Sequence, residues 1–182
     1  MNFSKVAAAV TAVVLGAASV VSIAADPVAK DQGRGTVTFT GAVIDSPCSI
    51  SSNSVDQVVE LGLISNGVLQ ANDGKGTSKP KNFEIQLEGC SVATAKTVTT
   101  TFTGAAGKDK RLGVTGNAKG VSIVIADGAG APIDLGKPTV GHGLQEGNNT
   151  LLFSAYMQGD GVAADIVPGD FKGVVDFSLA YQ

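Results

Sequence analysis

The stretch that most restricts the fold is residues 171–181, near the end of the printed sequence. One phase of this stretch is apolar or small, and it reads Phe171, Gly173, Val175, Phe177, Leu179 and Tyr181. Strict period-two alternation predicts a strand with one buried face. Because Gln182 is the last residue, we expect no later segment to pair with the outer edge of this strand. An apolar edge strand promotes aggregation unless another segment covers it.

A second alternating stretch lies early in the chain and could cover that edge. Its apolar or small phase reads Gly33, Gly35, Val37, Phe39 and Gly41. In one interpretation the two strands pair inside a single closed domain. In the other, the early strand belongs to a neighbouring molecule. The residues alone leave both open.

Residues 1–24 have the pattern of a cleaved export signal. Lys5 provides a positive start, a nearly uninterrupted run of Ala and Val follows, and small residues at Ser22 and Ala24 suit cleavage after Ala24 or Ala25. A transmembrane helix is the alternative, but the apolar run is short for a span and Asp26 follows closely. We therefore expect an exported protein with one domain's worth of mature chain.

The charge and the cysteines restrict the partners. The formal net charge is −3, and it becomes −4 once Lys5 is removed, which argues against a nucleic-acid partner.

Export makes a disulfide between Cys48 and Cys90, the two cysteines, the default. Two distant cysteines and the single His142 do not make a metal site, and we expect no metal, no cofactor and no catalytic residue.

The remaining pattern predicts an all-β fold. Strands are predicted at residues 36–44, 57–63, 83–87, 97–103, 121–126, 150–157 and 171–181, with a minor one at 111–114 and a helical turn at 68–71. Short strands joined by turn-rich connections favour an antiparallel immunoglobulin-like sandwich. A jelly roll is the competing topology.

Several motifs, in their order and spacing, carry a family resemblance. They are Gly-Arg-Gly-Thr-Val-Thr-Phe-Thr-Gly at 33–41, Val-Ile-Asp-Ser-Pro-Cys-Ser-Ile at 43–50, Asp-Gln-Val-Val-Glu-Leu-Gly at 56–62, Phe-Glu-Ile-Gln-Leu-Glu-Gly-Cys at 83–90, and the Tyr-Gln ending. Together they resemble the fimbrial (pilin) subunits of the chaperone–usher pathway, of the type 1 and P pilus class. The resemblance covers essentially the whole mature chain and is closest to major rod subunits.

The resemblance implies an incomplete immunoglobulin-like sandwich that lacks its last strand. A periplasmic chaperone first lends the missing strand, and the N-terminal arm of the next subunit then replaces it as a donor strand at the outer-membrane usher. It divides the chain into a signal peptide at 1–24, a donor arm at 25–40 and a pilin domain at 41–182. The product would be a surface fimbria, used in adhesion and built from identical subunits together with other pilus subunits.

The resemblance also assigns individual residues. In the arm, the donor positions are Gly33, Gly35, Val37 and Phe39, with Gly35 as the small residue expected where the groove narrows. At the groove edge and chaperone-recognition site, the residues are Gly169, Val175, Phe177, Leu179 and Tyr181; Gly169 is fourteenth from the end and Tyr181 is penultimate. Ordinary core packing is the alternative role of the last four.

Other functions remain as alternatives. A minor adaptor or tip-associated pilus subunit would share most of these motifs, whereas a two-domain tip adhesin needs more chain than we expect in the mature protein. A secreted β-sandwich enzyme is the third alternative, and the missing catalytic constellation argues against it.

Overall fold

The computed structural model describes residues 34–182. The predicted signal peptide and the donor position Gly33 lie outside the described residues. The chain forms two separate units, Met1–Ala42 and Val43–Gln182. The first unit has no regular secondary structure in its described part, residues 34–42.

The second unit is built almost entirely from strands. The strands are β1 Ser49–Ile50, β2 Lys81–Cys90, β3 Thr97–Gly104, β4 Leu112–Gly113, β5 Thr115–Gly116, β6 Val121–Asp127, β7 Pro132–Ile133, β8 His142–Gly143, β9 Gly147–Gly159, β10 Phe171–Lys172 and β11 Val175–Tyr181. The helices are α1 Ser52–Val55 and α2 Asn66–Gly74, with 3₁₀ turns at Lys108–Lys110 and Ala163–Asp165. Every long strand of this unit matches one of the predicted strands.

All strand pairs are antiparallel, and they form two principal sheets. The larger has the order β1-β2-β9-β6-β4, with β7 beside β6, and the smaller has the order β11-β3-β8. A separate short ribbon pairs β10 with β5. Because the two principal sheets bury a common core, the architecture is the expected sandwich.

The core is organised around three phenylalanine rings. Phe153 on β9 stacks on Phe83 of β2, with centroids 5.6 Å apart, and meets Phe102 of β3 edge to face at 5.0 Å. Such aromatic pairs add roughly 0.5–1.5 kcal/mol beyond the area they bury. Phe102 comes from the smaller sheet and the other two rings from the larger, so these contacts hold the two sheets together.

Most sheet edges in this unit are covered by other segments. The turn after β1 closes the edge of β2: Ser51 donates its amide hydrogen to the Gln86 carbonyl at 2.9 Å, and the Ser54 hydroxyl accepts from the Gln86 amide at 3.0 Å. The outer edge of β3 is covered in the same way, since Gly136 donates to the Phe102 carbonyl at 2.8 Å. Covered edges cannot add a further strand.

Two predicted strands are absent from the structure. Residues 36–44 and 57–63 have no strand hydrogen-bonding pattern, so these two predictions are wrong for the chain as it stands. The physical reason is that alternation specifies which side chains could be buried, but a strand also needs a partner backbone.

The long closing strand is interrupted. Residues 171–181 form β10 and β11, which lie in different sheets, with a break at Gly173 and Val174. A side chain at Gly173 would lie 2.7 Å from Ile123 Cδ1, so a core side chain occupies the space that a longer residue needs. The alternation is therefore real, but the prediction of a single strand over residues 171–181 is wrong, because the stretch forms two strands.

The predicted disulfide is present. Cys48 and Cys90 are bonded, with their Cα atoms 4.1 Å apart and a sequence separation of 42. The bond joins the residue before β1 to the end of β2. The antiparallel pairing of β1 with β2 explains this placement, because the start of one strand lies opposite the end of the other.

We predict that this disulfide is complete in the exported protein and stabilises it. Thiol titration of the denatured chain should find no free thiol, and the chain-entropy model gives a loop of this size about 4 kcal/mol of stability. Denaturant unfolding with and without reductant measures the difference. Two reactive thiols in the exported protein would contradict the prediction.

Candidate functional site

The candidate site is the outer edge and inner face of β11. Over the described residues, the strand partner of β11 is β3, and the register places Phe177 opposite Phe102. Phe102 is fully buried, whereas Phe177 on the same inner face is only half-buried. All the inward-facing side chains of β11 are half-buried, and they alternate with exposed residues. These side chains are Val175, Phe177, Leu179 and Tyr181. Apolar side chains that face a core and are only half covered indicate missing structure beside them.

A second group of half-buried residues packs against the same two core clusters as β11. Ile50 packs against the core cluster that contains Phe102 and Phe153, as Phe177 does. Leu61 and Ile64 pack against the cluster of Leu69, Met157 and Ile166, which is also in contact with half-buried Phe171 and Val175. The segment 50–64 and the segment 171–181 therefore both border the core without covering it. We call the half-covered apolar surface of these two segments the groove.

Near β10 the space between the sheets is filled. Leu112 is buried, and its methyl carbons lie 2.7 Å from the position of a Cβ atom at Gly104 and 3.2 Å from that at Gly173. The absence of side chains at Gly104 and Gly173 lets β3 and the β10–β11 junction approach Leu112. The open part of the inner face therefore begins at Val175 and runs towards Tyr181.

The predicted donor residues lie in the separate first unit. Val37 is 74% exposed and Phe39 is 91% exposed, and Gly35 is also exposed. An exposed Phe and Val in strict alternation have no burial partner in the described part of that unit.

Gly169, the remaining predicted residue, has a local packing role. A Cβ atom at Gly169 would lie 2.7 Å from the backbone of Asn117 and Ala118. The next residue, Asp170, accepts hydrogen bonds at its carbonyl from the amides of Asn117 and Ala118, at 2.9 and 3.1 Å. Gly169 thus lets the chain pass close to this turn just before β10.

Charged groups stabilise the surface rather than form a reactive site. Arg111 is largely buried and donates to Asp160 Oδ1 at 3.1 Å and, through Nε, to the Lys108 carbonyl at 2.9 Å. Elsewhere the hydrogen bond from Lys137 holds the pKa of the exposed Asp134 carboxyl below its usual value. His142 is exposed on β8.

The described residues contain no group of three or more His, Cys, Asp and Glu side chains arranged to hold a metal ion. In the same part of the chain, no helix is long and apolar enough to cross a bilayer.

Sequence reasoning missed one side of the groove. Ile50, Leu61 and Ile64 were not assigned to the site, although Leu61 lies in the alternating stretch 57–63. The available signal was that this stretch is apolar and lacks an assigned partner strand. Its alternation was interpreted as an ordinary strand of the sheet.

Comparisons with known proteins establish the family. The family model for fimbrial protein matches residues 37–182. The chain is 56% identical over 156 residues to the Fimbria A protein of Serratia marcescens, covering 85% of this chain and 88% of that protein. It is 45% identical over 163 residues to the Major MR/P fimbria protein of Proteus mirabilis (strain HI4320), covering 88% and 91%. The chain belongs to the fimbrial protein family.

Solved structures agree with this assignment. A subunit in a structure of a chaperone–usher pilus that addresses rod uncoiling has a TM-score of 0.73 and 32% identity, covering 83% of this chain and 97% of that one. The P pilus rod subunit PapA has a TM-score of 0.66 and 31% identity, covering 75% and 100%. These matches confirm the immunoglobulin-like pilin fold with sheets that are not closed.

Membership of this family establishes the general function of the chain. The chain is a structural fimbrial subunit and not an enzyme, it is exported through the periplasm to a surface fimbria, and subunits of this kind polymerise into pili. The relatives are named as major subunits, which favours a major subunit over the adaptor that the sequence left as an alternative.

We predict that Gly169 is needed for the packing of β10. Gly169→Ala places a methyl group within 2.7 Å of backbone atoms, and overpacking of this kind costs about 1–3 kcal/mol. Thermal unfolding and the level of exported protein measure the effect. Gly143→Ala is the matched control, because a Cβ atom there has no neighbour within 4 Å. Equal stability of the two variants would show that the close approach at Gly169 is unimportant.

Proposed function

We propose that this chain builds a fimbrial rod by donor-strand exchange. In this mechanism, residues 25–40 of one copy enter the groove of the next copy and pair with the outer edge of β11. The observation that carries the proposal is the half-buried inner face of β11 beside an edge that no described strand pairs with. Strand addition to such an edge supplies backbone hydrogen bonds, and alternate side chains supply specificity.

The arm carries exposed apolar side chains that suit the half-covered apolar groove. Val37 and Phe39 are exposed on the arm, while Val175, Phe177 and Leu179 are half-covered in the groove. Full burial of an apolar side chain of this size stabilises by roughly 1.5–3 kcal/mol. Gly33 and Gly35 continue the same phase of the arm, and Gly35 would enter where the groove is narrowest. Among the described residues, the filled region around Leu112 corresponds to this narrow end of the groove.

Before assembly the groove needs a temporary occupant. A periplasmic chaperone that lends a strand to β11 would protect the apolar face, and Gly169 and Tyr181 are the positions that the family resemblance assigns to this recognition. An outer-membrane usher would then exchange the chaperone strand for the arm. Residues 1–24 would direct export, and residues 41–182 would form the pilin domain. Other subunits of the same pilus would join this polymer through the same arm-and-groove joint.

The first test removes the donor arm. A chain without residues 26–40 should still accept an arm and should still be stabilised by its chaperone, but it should not donate. Co-expressed with wild-type subunit, it should shorten fibres, as seen by electron microscopy. Fibres of normal length would mean that the arm is dispensable and that the proposal is wrong.

The second test changes the arm without removing it. Gly35→Leu should shorten fibres, because a bulky side chain must enter the narrow end and overpacking costs about 1–3 kcal/mol at every joint. Thr38→Ser is the matched control, since Thr38 lies in the opposite phase. In addition, residues 33–41 appended after Gln182 through a flexible linker should give a stable monomer with a raised melting temperature. No gain over the unextended chain would contradict the proposal.

The third test concerns the chaperone stage. Phe177→Ser and Tyr181→Ser should each lower the periplasmic level of the subunit, because each removes apolar surface from the groove edge. Ser178→Ala, an outward-facing change on the same strand, is the control. The subunit level is measured by immunoblot with and without the co-expressed chaperone. Normal accumulation of monomer without any chaperone would show that the groove needs no partner.

A further inference from the structure

A cavity of about 500 Å³ lies where β9 ends. Its walls come from four segments: Lys75 at the end of α2, the 3₁₀ turn Lys108–Lys110 with the residue after it, β7, and the loop that follows Gly159. Small-ligand sites in proteins typically occupy about 300–1,000 Å³. No lining residue belongs to the segments 50–64 and 171–181, so the proposed donor-strand joint does not account for this cavity.

The walls of the cavity are fixed by an internal hydrogen-bond network. The largely buried Arg111 donates to the Lys108 carbonyl at 2.9 Å and to the Gly159 carbonyl at 3.4 Å. The fully buried Ser122 hydroxyl on β6 donates to Asp160 Oδ1 at 2.5 Å and accepts from the Lys108 amide at 3.3 Å. The turn and the loop are therefore both attached to β6, and the cavity is formed before any ligand enters.

The carboxylates that line the cavity each have a cationic partner. Those of Asp109 and Asp160 lie 3.7 and 3.1 Å from the Arg111 guanidinium. The Asp134 carboxylate lies 2.9 Å from the Lys137 ammonium. The negative charge of the cavity is therefore already balanced by the protein's own side chains.

Two cations of the cavity have no such partner. Within the described residues, the ammonium groups of Lys75 and Lys108 make no ion pair and no hydrogen bond. The Lys75 stem extends along the cavity loop, since its Cε lies 3.4 Å from the position that a Cβ atom would take at Gly161. The chain as a whole has a formal net charge of −3, so this is a local excess of positive charge on an acidic protein. Such a site favours an anionic group.

The rest of the lining is apolar and suits more than a free ion. Val124, Ile133 and Val162 line the cavity, and Val162 is 53% exposed. An inorganic anion gains nothing from these side chains, whereas the C–H face of a sugar ring can pack against them and leave water. The combination of unpaired ammonium groups, an apolar wall and a cavity of this volume fits a sugar that carries an acidic group.

We propose that this cavity binds an acidic saccharide, with its carboxylate or sulfate group at Lys75 and Lys108 and its ring against Val162. The inference goes beyond the proposed function and does not depend on it, because neither the arm nor the groove contributes to the cavity. It gives the subunit a ligand-binding role of its own in addition to its structural role.

Calorimetric titration of the exported protein, in whatever assembly state it is purified, tests the inference. The probes are a heparin tetrasaccharide, which carries sulfates, sialyllactose, which carries a carboxylate, neutral lactose and inorganic sulfate. At least one acidic saccharide should bind at physiological ionic strength, and lactose and sulfate should bind far more weakly. The two acidic probes show which acidic group the site prefers.

Two sets of variants locate the site. Lys75→Gln with Lys108→Gln should lower the affinity for the acidic saccharide at least about tenfold, because charge-assisted contacts are lost. Lys96→Gln with Lys172→Gln is the matched control, since it removes the same charge at exposed positions outside the cavity and should leave the affinity unchanged. Val162→Ser should weaken the binding of the saccharide but not that of inorganic sulfate. Thermal unfolding checks that each variant is folded.

Four results would overturn the inference. Failure of both acidic saccharides to bind the wild-type protein would show that the cavity is not a saccharide site. Equal losses in the two lysine variants would reduce the binding to general charge attraction. Sulfate binding as strong as saccharide binding would leave only an anion site, and lactose binding of equal strength would show that the two lysines do not select the ligand.

Discussion

Within the described residues no strand pairs with the outer edge of β11, and the rest of this structure depends on that constraint. When the inner face of a strand packs on a core but its outer edge has no partner strand, the backbone hydrogen-bonding groups along that edge are unpaired. The apolar side chains of its inner face are then also only partly buried. The remaining edges in the described part of the fold are treated differently. The turn carrying Ser51 and Ser54 closes β2, and the segment at Gly136 closes β3. Because β2 and β3 are covered in this way, the outer edge of β11 is the edge at which we propose that another chain adds.

The core likewise has a complete part and an incomplete part. The rings of Phe83, Phe102 and Phe153 form a packed centre that joins the two sheets without any outside contribution. The disulfide between Cys48 and Cys90 fixes the start of the domain to this centre. The centre of the subunit can therefore be folded while the inner face of β11 stays half-covered, as the proposed donor-strand exchange requires. The filled end at Leu112 limits the opening to the part of β11 beyond the break.

The sequence by itself determined the longer strands of the sandwich and the disulfide pair, and it predicted the groove edge. Alternation specifies a buried face wherever a strand forms, so Phe83 to Leu87 and Val175 to Tyr181 could be recognised from their pattern. Tertiary structure alone decided which alternating stretches become strands. Residues 36–44 and 57–63 alternate equally well, but neither stretch forms a strand in the described structure, because alternation alone does not supply a partner backbone. It also decided the break at Gly173, where side chains from distant positions, Leu112 and Ile123, occupy the space, and no local pattern contains that information.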